Sequence, residues 1–277
     1  MGLEDAIDIS EAKDFGINWW LVGPPGATKT SLAATLGDHP RGRDVLVLDG
    51  EGGSGVLQEF GNHIKVIPIT TWPHLLEIYT NLVEQDHNYK TIIIDNMTEF
   101  NKISIRHAQD TSDDPSEKDP NRPTLRAYLG SSNQMGNMIR KFRDLGSIKG
   151  MNVVFCSWIA REQDQISGAI TYEVDLGRSL QSQVPGIVDV VGYLSRNDEG
   201  TPILKLVADR QHPTIKFRRR NSAAWTIPDE IEQPTLAPVL EVMKEGTLWE
   251  EAIKMYPFIH PKDRIKAKAK AKAEAIA

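Results

Sequence analysis

One cysteine, Cys156, stands in a chain of 277 residues. No intrachain disulfide can form, so a disulfide-stapled secreted scaffold is excluded and a reducing cytosol fits. Cys156 closes the apolar run Val153-Val154-Phe155, where it reads as core filler rather than a nucleophile. Long hydrophobic runs are missing too: nothing approaches the ~20 apolar residues a helix needs to cross a bilayer. The first residues lack the charged stretch followed by an apolar one that marks a secretory signal. A cytoplasmic location and no membrane partner are expected. No internal repeat is present.

Positive charge is also short. The net charge is −6, which does not advertise nucleic-acid binding. The cations that exist are unevenly placed. Residues 259–277 hold Lys262, Arg264, Lys266, Lys268, Lys270 and Lys272 against Asp263 and Glu274, so the rest of the chain is more acidic than the total. A second cluster is Lys216, Arg218, Arg219 and Arg220. Either can serve phosphate contact, or simply be a solvated face.

What is present is a phosphate-binding loop. Gly23-Pro24-Pro25-Gly26-Ala27-Thr28-Lys29-Thr30, followed by Ser31, fits G-x-x-x-x-G-K-[ST] except at Thr28, where the second glycine belongs. Backbone N–H groups of such a loop cradle phosphates, helped by the N-terminus of the next helix. Lys29 is placed to reach the β- and γ-phosphates, and the Thr30 hydroxyl to hold Mg²⁺. The context agrees: Ile17 to Val22 reads as a buried strand, and Thr30 to Leu36 as a short helix stopped by Gly37. Thr28 lacks glycine's freedom, so a positive φ there is expected to carry strain.

Strand-like runs then alternate with helical patterns. Val45 to Leu48, Ile64 to Ile67, Thr91 to Ile94 and Met151 to Cys156 read as buried strands. Trp72 to Glu84 and Leu125 to Leu145 read as helices, the second turning Leu125, Leu129, Met135, Met138, Ile139, Phe142 and Leu145 inward. This order predicts an α/β fold with a mostly parallel sheet flanked by helices. Ile187 to Tyr193, Ile203 to Val207 and Thr214 to Phe217 are shorter and suit antiparallel strands added at one edge. The expected layout is an N-terminal extension over 1–14, an ATPase core over 15–227, a helical segment over 228–258 and a basic Lys/Ala tail over 259–277. Residues 109–124, rich in Asp and Pro, read as a mobile loop, and 161–179 as a second loop.

Asp95 ends a four-residue apolar strand, the way a Walker B acid is carried to the sheet edge to hold Mg²⁺; a helix cap is the other reading, and the phosphate-binding loop favours the first. The next residue is Asn96, not the glutamate many ATPases place there. Glu51, just beyond the Val45-Leu46-Val47-Leu48-Asp49 strand end, is the candidate base for the attacking water. A capping acid in a Gly-rich turn is the other reading of Glu51, and Asp49 is a weaker candidate.

This order of elements resembles the RecA-like P-loop ATPase core. The resemblance assigns the catalytic glutamate to Glu51 and places a nucleotide sensor after Val153-Val154-Phe155-Cys156, at Ser157 or Trp158. Leu180-Gln181-Ser182-Gln183-Val184-Pro185-Gly186-Ile187-Val188-Asp189 is similar to a signature of phage-encoded ATP-binding proteins, among them single-strand annealing proteins of the Sak group. Ala208-Asp209-Arg210-Gln211-His212-Pro213 resembles the hairpin that supplies an arginine in trans, which makes Arg210 a candidate finger; a plain surface charge is the alternative. The resemblance implies a Mg²⁺-dependent ATPase, stimulated by DNA, that assembles as a ring or filament and acts on single-stranded DNA in phage recombination or annealing. It further implies a single-strand-binding protein or replication partner and a host cytoplasm. DNA-contacting loops would fall at about 104–124 and 161–179. A replicative motor or helicase loader, and a nucleotide switch with little hydrolysis, are the alternatives.

Overall fold

A computed structural model of the chain describes residues 14–61, 63–119, 121–260 and 263–264. Most of the expected N-terminal extension and nearly all of the Lys/Ala tail lie outside the described residues.

The elements follow in chain order. Strand β1 (Asn18–Val22) leads through the phosphate-binding loop into α1 (Lys29–Ala34). Then come β2 (Val45–Asp49), β3 (Ile64–Pro68), α2 (Trp72–Glu84), β4 (Thr91–Asp95), α3 (Met97–Asp110) and α4 (Leu125–Ile148). Strand β5 (Asn152–Ser157) is followed by β6 (Ile159–Gln163) and β7 (Ile170–Val174), then by the single turns α5 (Arg178–Gln181) and α6 (Val184–Ile187). The chain continues through β8 (Val190–Arg196), β9 (Pro202–Lys205), β10 (Lys216–Phe217), β11 (Glu230–Glu232), α7 (Leu236–Glu245) and α8 (Trp249–Met255).

The main sheet runs β11-β9-β8-β1-β5-β4-β2-β3, with β10 beside β8. From β3 to β8 every pairing is parallel, and β9, β10 and β11 are added antiparallel at one edge. The expected fold class is therefore the observed one, although the Ile187 to Tyr193 run, expected as an antiparallel edge strand, forms β8, which pairs parallel with β1. Because side chains alternate across a strand, each central strand feeds two cores. Trp19, Leu21, Val47, Ile93 and Val154 face α1 and α7; Trp20, Leu48, Ile94 and Phe155 face α2, α3 and α4. Trp20 stacks on Phe155 with ring centroids 5.0 Å apart. Cys156 is fully buried among the first group, as core filler should be.

Four local expectations change. The short helix is not stopped by Gly37: α1 passes into a 3-10 segment, Thr35–Asp38, that includes it. Glycine is needed at 37 because a Cβ there would lie 2.7 Å from the His63 ring. Helix α4 begins outside the core, so Leu125 and Leu129 are 75% and 59% exposed, whereas Met135 to Leu145 supply the buried face. The 161–179 segment is a hairpin, β6–β7, rather than a loop. Residues 109–119 are tied down: the Gln109 amide, itself buried, donates to Asp119 O at 2.6 Å and Glu117 O at 3.3 Å.

The cluster at 216–220 is spent on structure. Arg218 and Arg220 both pair with buried Asp189, at 3.2 and 2.7 Å, and the Asn18 amide donates to the same carboxylate at 3.0 Å. Lys216 donates to Val188 O at 3.0 Å, and the Arg219 guanidinium lies 4.5 Å from the Trp225 ring centre. These cations bind the 214–220 segment to the sheet instead of forming a free phosphate-binding patch.

Candidate functional site

The parallel strands share a C-terminal edge, and the sequence-predicted residues meet there. Strand β1 ends in the loop Gly23, Pro24, Pro25, Gly26, Ala27, Thr28. Gly23 is fixed by space: a Cβ would lie 2.3 Å from Leu194 O of β8. The Ala27 amide donates to Pro24 O at 3.2 Å, which tightens the turn, and Gly26 has φ +77°. Thr28 has φ 67° and ψ 25°, a left-handed conformation. The missing glycine thus falls where glycine's freedom is used, and a β-branched residue there stores strain of order 1–3 kcal/mol.

Lys29 is buried at the start of α1, and its Nζ donates to Gly23 O and Pro24 O, both at 3.0 Å. Its ammonium is therefore held over the loop. Burial lowers its pKa, opposed by Asp95 and Glu51 nearby. Thr30 Oγ1 donates to Asp95 Oδ2 at 2.5 Å, and Ser31 follows on the same turn. Strand β5 separates β1 from β4, so this contact crosses the end of an intervening strand. Burial pushes the Asp95 carboxyl up to about 6, with the Thr30 bond opposing and the Glu51 charge adding to the rise.

Strands β2 and β4 are neighbours with Asp49 level with Asp95, and the Gly50 amide donates to Asp95 O at 2.7 Å. Asp49 organises the turn beyond. It accepts from the amides of Glu51 at 3.0 Å, Gly52 at 2.6 Å and Ser54 at 3.2 Å, bonds that lower its pKa against the opposing effect of burial. With its oxygens so engaged, Asp49 is a turn former, and Glu51 is the carboxylate left facing out. Glu51 Oε2 accepts a hydrogen bond from the Asn96 side-chain amide. Asn96 Oδ1 meanwhile caps α3 by accepting from the Glu99 amide at 2.9 Å.

Thr30 and Asp95 offer hard oxygen donors, the set that suits Mg²⁺. Among the described residues no group of three or more His, Cys, Asp or Glu could enclose a metal. The pair fits the use of Mg²⁺ with few protein ligands, the remainder being phosphate oxygens and water. Thr30 and Asp95 would hold it, and it would supply charge neutralisation on the phosphates.

Two predicted residues sit differently. Arg210 is exposed on the 208–213 loop, with no hydrogen bond or ion pair to another described residue. That loop is held by Asp209, which accepts from the Gln211 and His212 amides at 2.8 and 2.7 Å and pairs with Lys205 at 2.8 Å. Ser157, a sensor candidate, is fully buried and its hydroxyl accepts from Trp20 Nε1 at 2.8 Å. Its partner candidate, Trp158, lies under Lys102 Nζ, 5.3 Å from the ring centre. Arg196 was not legible: it comes from the end of β8 and reaches Gly26 O at 3.5 Å, with nothing in its local sequence to mark it.

A phosphate-binding loop, a buried strand-end aspartate and a sheet with antiparallel strands added beyond β8 define a P-loop nucleoside triphosphatase fold of RecA-like architecture. The chain belongs to the AAA domain family, whose model matches residues 16–222. Among solved structures, the RadB recombinase is similar at 15% identity, over 74% of this chain and 83% of that one, with a TM-score of 0.43. No curated protein matches the sequence. Among the described residues, no helix is long and apolar enough to cross a membrane.

Proposed function

We propose that the protein binds and hydrolyses ATP with Mg²⁺ and couples this to single-stranded DNA in recombination or annealing. The observation that carries the ATPase reading is the convergence of Lys29, Thr30, Asp95 and Glu51 on one sheet edge, with Asn96 holding Glu51. In this reading residues Gly23 to Ser31 cradle the phosphates, Lys29 neutralises developing charge, and Glu51 orients and deprotonates the attacking water. Asn96 fixes the carboxylate that an adjacent glutamate supplies in other ATPases. Arg210, exposed and unpaired among the described residues, would serve a neighbouring copy in a ring or filament.

The DNA part rests on the β6–β7 hairpin. Its tip is organised by Asp164, which accepts from the Ile166 and Ser167 amides at 3.0 and 2.6 Å, and Ile166 is 98% exposed. Arg161 on β6 and Arg178 on α5 are exposed, suited to phosphates. Tyr172 is less free, since its ring stacks on His212 with centroids 5.3 Å apart.

The test is ATP turnover by wild type, Lys29→Ala and Glu51→Gln, each with and without single-stranded DNA. Loss of turnover in both variants and stimulation of wild type by DNA are expected. Turnover untouched by Glu51→Gln removes Glu51 from the base role. Turnover indifferent to DNA favours the nucleotide switch, a reading for which the strain at Thr28 speaks. Directional unwinding, or capture of a helicase, favours the motor or loader.

A further inference from the structure

We propose that a cleft beside α1 receives the nucleoside half of the nucleotide, and that Phe258, Ile259, His260 and Arg264, outside the AAA domain, form its outer wall. This rests on the P-loop reading of Gly23 to Ser31. Thr28 and Ser31 belong to both the phosphate cradle and the lining of the cleft, whose volume is about 340 Å³. That lies within the ~300–1,000 Å³ of small-molecule sites. A ligand with its phosphates on the loop therefore passes its next group into this space.

The lining suits a flat, largely apolar group with polar edges. Leu32, Phe60, Phe258 and Ile259 supply the apolar lining, and Gln233 and Arg196 stand among the polar lining residues.

The outer wall is fastened to the nucleotide-binding helix. Arg264 grips both oxygens of Asp38, at 2.9 and 2.5 Å, and its guanidinium lies 4.6 Å from the Phe60 ring centre. The Arg264 side chain is only 9% exposed, and a two-pronged guanidinium–carboxylate pair is stronger and more directional than a single contact. Asp38 ends the 3-10 segment that continues α1. The clamp thus joins the far end of the chain to the element that carries Lys29 and Thr30. The family match stops at residue 222, so this wall is an addition to the AAA domain.

The experiment uses the full chain and two probes, Mg-ATP and magnesium tripolyphosphate, the second having phosphates without a nucleoside. Calorimetry is expected to show ATP weakened by about tenfold, ~1.4 kcal/mol, in Arg264→Lys and in Phe258→Ala, with tripolyphosphate unchanged. In wild type, hydrogen exchange over 256–264 is expected to slow with ATP and not with tripolyphosphate. Unchanged ATP affinity in both variants, an equal loss of both probes, or equal protection by both overturns the proposal. Lys29→Ala separates the underlying reading: it should weaken both probes, and ATP binding indifferent to it removes the P-loop assignment itself.

Discussion

The side-chain amide of Asn96 donates to the carboxylate of Glu51. One is the residue just past β4, the other two residues past β2, and these strands are adjacent. The position where many ATPases carry a catalytic glutamate here carries an amide that holds a carboxylate from beyond the neighbouring strand. Glu51→Gln is expected to lower kcat by about 10²–10⁴, as loss of a general base does. Asn96→Ala is expected to lower it by about tenfold through misorientation, with KM for ATP little changed. Steady-state hydrolysis assays compare the two, and an Asn96→Ala enzyme as fast as wild type rules out the positioning role.

Thr28 occupies a left-handed conformation in which its branched side chain is strained. Thr28→Gly relieves that strain, offset partly by the ~0.5–1 kcal/mol of extra backbone entropy glycine loses on folding. A net gain of about 0.5–1 kcal/mol is expected by urea unfolding. Thr28→Ala keeps the φ constraint and should stay within about 0.5 kcal/mol of wild type.

Asp189 is buried and receives two arginines and the Asn18 amide. Asp189→Ala leaves the buried Asn18 amide without its acceptor and Arg220 with only the Phe15 and Gly16 carbonyls, and is expected to cost about 2–3 kcal/mol in denaturant unfolding. If the variant is as stable as wild type, the 216–220 cations are not structural.

Burial, reinforced by Arg220 and Arg41, lowers the Lys244 ammonium to about 8 from its ordinary 10.5. Between those values the unfolded chain binds a proton the folded protein has released, so this group makes stability rise with pH across that window. Below pH 8 its penalty is present in full. Lys244→Met is expected to be more stable than wild type at pH 7 by about 1–2 kcal/mol after allowance for solvent screening, and the gap should narrow markedly by pH 10. Unfolding at both pH values measures it.

The parallel core was legible because buried central strands are short unbroken apolar runs, seen in Thr91-Ile92-Ile93-Ile94 and Val153-Val154-Phe155-Cys156. Lys29, Thr30 and Asp95 were legible because a loop motif and a strand end fix where their side chains emerge. The β6–β7 hairpin was not. Its residues alternate weakly, and its stability comes from pairing and from Tyr172 packing on His212, forty positions on. Helix α3 was hidden by its polarity, since it meets the core mainly through Met97, Phe100 and Ser104. The nucleoside cleft was invisible for a different reason: its walls come from Leu32, Phe60, Arg196 and Phe258, which no local pattern connects. Leu125 and Leu129 misled because helical spacing tells which residues share a face, not where the neighbouring layer ends.

Gly23 has no room for a side chain because β8 presses the Leu194 carbonyl against it. The residue before Leu194 is Tyr193, on which His212 rests at 4.1 Å between ring centres, and His212 in turn carries Tyr172 of the hairpin. The phosphate cradle and the projecting hairpin therefore stand on one strand as a common footing. Movement of the hairpin and occupation of the cradle are therefore expected to be felt by each other through β8.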